Sequence, residues 1–157
     1  MKLLTIIYSR MSSTRLPGKA LLNISGRPLL ERVSNSVGAL APLGEVIIGT
    51  SNDESDNQIA KFCDGSQIKY FRGDLGNVSK RTCQIIRKYN PEFICRVCGD
   101  RPLLTPDFVK SSRDIFIKNE ANFDIISNAL SRFDPPGLKL EFVRASTFIA
   151  HSKRFNL

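Results

Sequence analysis

Apolar residues follow two alternating rhythms along this chain. Short unbroken runs, "LLTIIY" (Leu3 to Tyr8), "EVIIGTS", "QIKYF", "FICRV" and "FDIIS", read as strands buried within a sheet. Between them apolar residues recur three and four apart. Leu29, Leu30, Val33, Val37 and Leu40 share one helical stripe, and Pro28 suits the first turn of that helix. "SDNQIAKFC" reads as a short helix with Ser55 as its N-cap. Leu75, Val78, Thr82, Ile85, Ile86 and Tyr89 predict a helix from Leu75 to Tyr89, stopped by Asn90 and Pro91. "RGD" ends the third strand. Thr105 and Pro106 open a further helix as N-cap and first helical residue. From Asn128 the rhythm fails, and "FDPPGLKLEFV" reads as a loop followed by an extended segment.

Strand and helix alternate five times, which predicts an α/β fold with a mostly parallel sheet and helices on both faces. Such sheets bind ligands beyond the carboxyl ends of their strands. Two polar segments fall at that edge: "RMSSTRLPGK" after the first strand and "GDRP" after the fourth. They should face one pocket although about ninety residues separate them.

The chain of 157 residues, 41% of them hydrophobic, fits one domain, 1–157, with a sizeable core. No apolar run approaches the roughly 20 residues that span a bilayer. The N-terminal run is too short for a signal-peptide core, so a soluble cytoplasmic protein is expected. Net charge is +8, from 23 Lys+Arg against 15 Asp+Glu. That field attracts anions without naming them. An RNA-binding domain is a remote alternative; the chain lacks interleaved aromatics of the RNP kind and a GxxG clamp between helices. Cys95 and Cys98 form a CxxC inside a strand-like run, with no second close pair, and His151 is the only histidine. A zinc or redox centre is therefore not expected. Cys63, Cys83, Cys95 and Cys98 read as buried, reduced and structural, and His151 as a surface residue.

The loop after the first strand suits a polyphosphate. Arg10, Arg15 and Lys19 can neutralise phosphate oxygens. Ser12, Ser13 and Thr14 add hydroxyl donors, and Pro17 with Gly18 fixes a turn. Walker A and GxGxxG spacings are both absent.

"RMSSTRLPGKALLNISGRPLLERV" resembles the N-terminal signature of the sugar cytidylyltransferases, the spore-coat-polysaccharide branch above all. The 3-deoxy-manno-octulosonate and acylneuraminate cytidylyltransferases are more distant. "EVIIGTSNDESDNQIA", "YFRGD", "RVCGDRPLLTPDFV" and "PPGLKLEFV" follow in the family's order, so the resemblance covers Lys2 to Val143. It implies a GT-A-like, Rossmann-like nucleotidyltransferase fold. It implies a reaction in which CTP and a sugar or sugar acid give a CMP-sugar and pyrophosphate, with Mg²⁺, for cell-surface polysaccharide synthesis. Arg10, Arg15 and Lys19 would hold the triphosphate and Asp100 would ligate Mg²⁺. Ser12 and Ser13 would contact the nucleotide, and Arg72 and Arg81 match family positions near it. The implied partners are CTP and the acceptor, with no membrane and no nucleic acid; a homodimer is left open.

The chain departs from the family pattern at four points. Ser12 replaces a common Gly, Asn77 an Asp, and Lys139 a carboxylate in "GLKLE" near where a second metal contact would lie, with Glu141 the carboxylate left on that segment. The chain stops at Leu157, where family members run on, so a C-terminally truncated copy is expected. These departures motivate an alternative function, a catalytically impaired or truncated CTP-binding module.

Overall fold

The structure, a computed structural model, describes residues 2–128 and 137–152. Its strands in chain order are β1 (Leu3–Tyr8), β2 (Asn23–Ile24), β3 (Arg27–Pro28), β4 (Gly44–Ser51), β5 (Tyr70–Gly73), β6 (Phe93–Cys98), β7 (Ile125–Ser127) and β8 (Glu141–Arg144). The helices are α1 (Leu29–Val37), α2 (Asn57–Gly65), α3 (Val78–Tyr89), α4 (Pro106–Asn119) and α5 (Ala145–His151). β2 and β3 form a small hairpin. The other strands make one six-stranded sheet in the order β5-β4-β1-β6-β8-β7.

β1 is central because both its faces are apolar. Leu3 and Ile7 point to one side, Leu4 and Ile6 to the other, and all four are fully buried. α1, α2 and α4 cover the first side with Leu30, Val33, Ile59, Val109 and Phe116. α3 and α5 cover the second with Ile85, Ile86 and Phe148. Phe116 anchors α4. Its ring meets Phe93 edge-on at 5.1 Å and stacks on Phe142 at 4.7 Å. β4, β5 and β6 run parallel to β1, as the alternation predicts. β8 is antiparallel to β6, with Arg96 opposite Glu141. The sheet is therefore mostly rather than wholly parallel.

Several boundaries differ from the sequence reading, each for a local reason. Ser55 does not cap α2. A short 3-10 turn, Glu54–Asp56, precedes that helix, and the Asp53 carboxylate takes the Ser55 amide at 3.0 Å and its hydroxyl at 2.5 Å. α3 begins at Val78 rather than Leu75, because the Asn77 side chain caps it by accepting from the Lys80 amide at 2.7 Å. Asn and Asp cap comparably, so the Asn77 departure is structurally neutral there. β5 continues through Arg72 and Gly73, which pair with Thr50 and Ser51. Pro28 stands one residue ahead of α1. Thr105 caps α4 as expected, accepting from the Phe108 amide at 3.2 Å. α5 is an element that the apolar pattern did not predict. Of the "FDPPGLKLEFV" segment, residues 133–136 lie outside the described residues. Cys63, Cys83 and Cys95 are buried free thiols, whereas Cys98 is exposed because it closes β6 at the sheet edge. His151 is exposed.

Candidate functional site

At the carboxyl edge of β1, β5 and β6 lies a cleft of about 490 Å³, within the size range of small-ligand pockets. The loop after β1 supplies Arg10, Ser13, Arg15 and Lys19 to its wall. The turn after β6 supplies Gly99 and Asp100, and α3 supplies Val78 and Arg81. The two polar segments that the sequence sends to one edge do meet there: the Lys19 ammonium is ion-paired with the Asp100 carboxylate.

Backbone geometry sets this meeting. The Met11 carbonyl accepts from the Ser13 and Gly18 amides, each at 2.9 Å, so the loop closes on itself. Gly18 has φ of 74°, a left-handed conformation that favours glycine, and it hands the chain to the 3-10 turn Lys19–Leu21. On the other side the Gly99 amide donates to the Tyr8 carbonyl at 2.8 Å. A Cβ at Gly99 would lie 3.0 Å from that oxygen and 3.1 Å from the Ser9 Cβ, so a larger residue would push the Asp100 turn off the end of β1.

The electrostatics are mixed. Partial burial pushes the Asp100 carboxyl up, but the hydrogen bond and charge of Lys19 outweigh it, and the net direction is down. Arg81 is only 2% exposed. Burial draws its pKa below the ordinary arginine value, against the opposing pull of Tyr8 and Asp56. Its Nη1 donates to the Asp74 carbonyl at 2.9 Å, and its guanidinium stands 6.0 Å from the Tyr8 ring centre. Its Nε has no partner among the described residues. Thr82 donates its hydroxyl proton to the Val78 carbonyl, so the Tyr8 phenol donates to Thr82, at 2.8 Å. Burial pushes the Tyr8 phenol upward, with Thr82, Arg96 and Arg81 pulling the other way.

Arg10, Ser13, Arg15, Lys19, Arg81 and Asp100 thus share one cleft. Ser12 and Arg72 are not brought to its wall. Ser12 is exposed, and it is not among the residues with positive φ, so serine fits there without strain. Arg72 spends its donors on the turn after β4: Nε on the Ser51 carbonyl at 2.9 Å, Nη1 on Asn57 at 2.7 Å, and Nη2 on the Asp53 carbonyl at 2.8 Å. Lys139 is half-buried and does not line the cleft. Glu141 is committed to Arg96, at 3.0 Å, and does not reach the cleft either.

Sequence reasoning missed Tyr8, which reads as the last residue of a strand, and Asp56, which reads only as the residue after the Ser55 N-cap. Asp56 is fully buried and accepts from Met11, at 2.7 Å, inside the basic loop. A hint of its role is local: it follows the turn-rich "TSNDES" directly after a buried strand.

Among the described residues no cluster of three or more His, Cys, Asp or Glu side chains is placed to hold a metal. Among the described residues the cleft wall offers one hard carboxylate, Asp100. That donor set fits Mg²⁺ arriving with a nucleotide, since this ion takes one or two carboxylates and draws its other ligands from phosphates and water. No described helix is long and apolar enough to cross a membrane.

Known proteins place the chain. A sequence model described as cytidylyltransferase matches residues 4–146. The spore coat polysaccharide biosynthesis protein SpsF of Bacillus subtilis is 30% identical over 155 residues, covering 96% of this chain and 62% of that protein. The 3-deoxy-manno-octulosonate cytidylyltransferase of Brucella ovis is 34% identical over 114 residues, covering 70% of this chain and 44% of that one. The chain spans about half the length of the curated relatives it matches. A solved cytidylyltransferase from Leptospira borgpetersenii superimposes with a TM-score of 0.90 at 25% identity, over 100% of this chain and 66% of its own. With the family signature running almost end to end and the same fold beneath it, the chain belongs to the cytidylyltransferase family.

Proposed function

We propose that this chain carries the nucleotide-binding and reacting part of a cytidylyltransferase that joins CMP to a sugar or sugar acid for cell-surface polysaccharide. The observation that carries this reading is the contact of Lys19 with Asp100, a loop cation and a strand-end carboxylate facing one cleft. In the reaction an acceptor hydroxyl oxygen attacks the α-phosphorus of CTP. The bond from that phosphorus to the bridging oxygen breaks, pyrophosphate leaves with the electron pair, and the acceptor hydroxyl gives up its proton to water. Such chemistry is carried mostly by alignment and charge neutralisation.

Arg10, Arg15 and Lys19 hold the β and γ phosphates and stabilise the leaving pyrophosphate. Ser13 donates to a phosphate oxygen. Arg81 adds a buried positive charge to the cleft floor, kept in place by Asp74 and Tyr8. Asp100 would hold Mg²⁺, which when bound supplies further neutralisation of phosphate charge. On nucleotide binding Lys19 exchanges the carboxylate for a phosphate and frees Asp100 for the ion. A cytoplasmic location accords with the free thiols.

A second reading, nucleotide binding without turnover, is favoured by the cleft wall offering a single carboxylate among the described residues, Asp100, with Glu141 held by Arg96 outside it. One pair of measurements separates the two. Titration calorimetry with CTP, UTP, GTP and ATP, each with Mg²⁺, reads binding, and exchange of labelled pyrophosphate into CTP with a panel of sugar acids reads turnover. Binding with exchange supports the enzyme, binding alone supports the second reading, and neither refutes both.

A further inference from the structure

We infer that Asp56 is a positioning residue for the basic loop: its buried carboxylate holds the Met11 amide and thereby sets where Arg10, Ser13 and Lys19 meet a polyphosphate. The inference rests on the cleft binding a nucleoside triphosphate, as proposed above.

Asp56 lies in the turn after β4 and is fully buried. One oxygen, Oδ1, accepts from the Met11 amide at 2.7 Å. The other, Oδ2, accepts from the Thr50 hydroxyl and the Ser51 amide, both at 3.0 Å, and from the Ser51 hydroxyl. Each donor is neutral, and no lysine or arginine forms an ion pair with this carboxylate among the described residues. A buried charge supported in this way is retained where its acceptor geometry is needed. An amide in its place cannot serve. Whichever way asparagine is turned, its NH₂ faces a backbone N–H, that of Met11 or that of Ser51.

The Met11 peptide is also the hub of the loop. Its N–H is tied to Asp56, and its carbonyl gathers the amides of Ser13 and Gly18 at 2.9 Å each. Lys19 follows Gly18 and reaches Asp100. A line of bonded groups thus runs from the end of β4, through Asp56 and Met11, to the two residues that close the cleft. The Asp56 charge is also felt by Arg81 on the cleft floor.

These two influences of Asp56 act in opposite senses, which makes the role testable. If Asp56 acted only as a nearby negative charge, Asp56→Asn would tighten every phosphate ligand. If it positions the loop, Asp56→Asn weakens CTP by about tenfold and leaves CMP within about twofold. The comparison is made on the full chain with CTP, CMP and inorganic triphosphate, alongside amide hydrogen exchange by NMR without ligand. The expected result is faster exchange at Met11, Ser13 and Gly18 together, and selective loss of CTP and triphosphate binding. Thr50→Val removes a bond to the same carboxylate but leaves the Met11 anchor. It should lower the melting temperature without changing the ratio of CTP to CMP affinity.

Unchanged exchange at the three amides, or tighter CTP binding, overturns the inference. Should Asp56→Asn fail to fold, the wild-type exchange pattern decides: the inference requires the Met11, Ser13 and Gly18 amides to be protected together, and unprotected amides refute it. If the wild type binds no triphosphate, the proposed function fails, and the exchange measurement still shows whether Asp56 holds the loop.

Discussion

Replacing Asp100 by asparagine should move metal-free and metal-loaded nucleotide binding in opposite directions. In the ligand-free protein the carboxylate is paired with Lys19, and that pair must part before Lys19 can reach a phosphate. The two side chains are 24% and 38% exposed, for Lys19 and Asp100 respectively. The pair is therefore worth what a surface ion pair is worth, about 1 kcal/mol at most. Asparagine removes that competition and deletes a negative charge beside the triphosphate. Without a divalent ion, CTP should bind Asp100→Asn more tightly, by up to about fivefold.

With Mg²⁺ the sign reverses. The variant lacks the Asp100 carboxylate, and a charged contact of about 1.5–3 kcal/mol is lost, or roughly tenfold or more in affinity. The Asp100 carboxyl is held below its usual range, chiefly by Lys19 against the opposing effect of partial burial. The pair's contribution is thus complete above the ordinary carboxylate pKa and lost as pH falls through the lowered value. The crossing should persist throughout the neutral range. Calorimetric titration of CTP into both proteins, in chelator and in Mg²⁺, reads it directly. A shift of the same sign in both buffers, or no shift, would show that Asp100 is a turn residue and nothing more.

Arg15→Ala and Lys19→Ala should each weaken CTP by about tenfold or more and CMP far less; equal losses would remove both cations from the β and γ phosphates. Lys139→Asp should leave Mg²⁺ affinity in the CTP complex unchanged, since Lys139 does not line the cleft; a clear tightening of Mg²⁺ in that complex would place residue 139 at the site after all. Phe116→Ala should cost about 3–5 kcal/mol in urea unfolding, since the ring is fully buried between Phe93 and Phe142; a loss below about 1 kcal/mol would contradict that packing. Thiol alkylation of the native protein at mildly alkaline pH should label Cys98 first. Burial pushes the Cys63 thiol to about 12 and the Cys95 thiol higher still, whereas Cys98 is exposed in the cleft wall. CTP should slow that labelling, and peptide mapping that finds Cys63 or Cys95 first would overturn the ordering.

Features that depend on neighbours in sequence were legible without the structure. The all-apolar run of β1, the Thr105 cap and the basic loop each declare themselves within a few residues. The boundaries that slipped were decided by competition between close candidates: Asp53 took the turn in which Ser55 looked like the cap, and Asn77 took the start of α3 from Leu75. Arg72 matches a family position near the nucleotide, but a motif does not show which partners a side chain takes; here its guanidinium is hydrogen-bonded to Ser51, Asp53 and Asn57 at the turn after β4. The tie of Asp56 to the basic loop could not be read, because Met11, its donor there, stands 45 residues away. The reversed direction of β8 could not be read either, since an apolar run has the same pattern whichever way it enters the sheet. α5 has only seven residues and no side-chain cap, too little signal to stand out.

The place of β8 has a consequence for how the chain is made. This strand lies between β6 and β7 although it follows both in sequence. While the polypeptide grows on the ribosome, β5, β4, β1 and β6 can assemble, but one flank of β6 has no partner until Glu141–Arg144 emerges. β7 must also wait, because its pairing is with β8. Even the seat of α4 is unfinished, since Phe116 lacks Phe142 beneath it. At about 5–20 residues per second the interval from the end of β6 to the end of β8 lasts roughly 2–10 s. For that time a nascent chain carries an open edge beside Phe93 and Ile94, the kind of edge that pairs with strands of other chains. The late strand makes this interval the one in which the growing chain is most open to pairing with its neighbours.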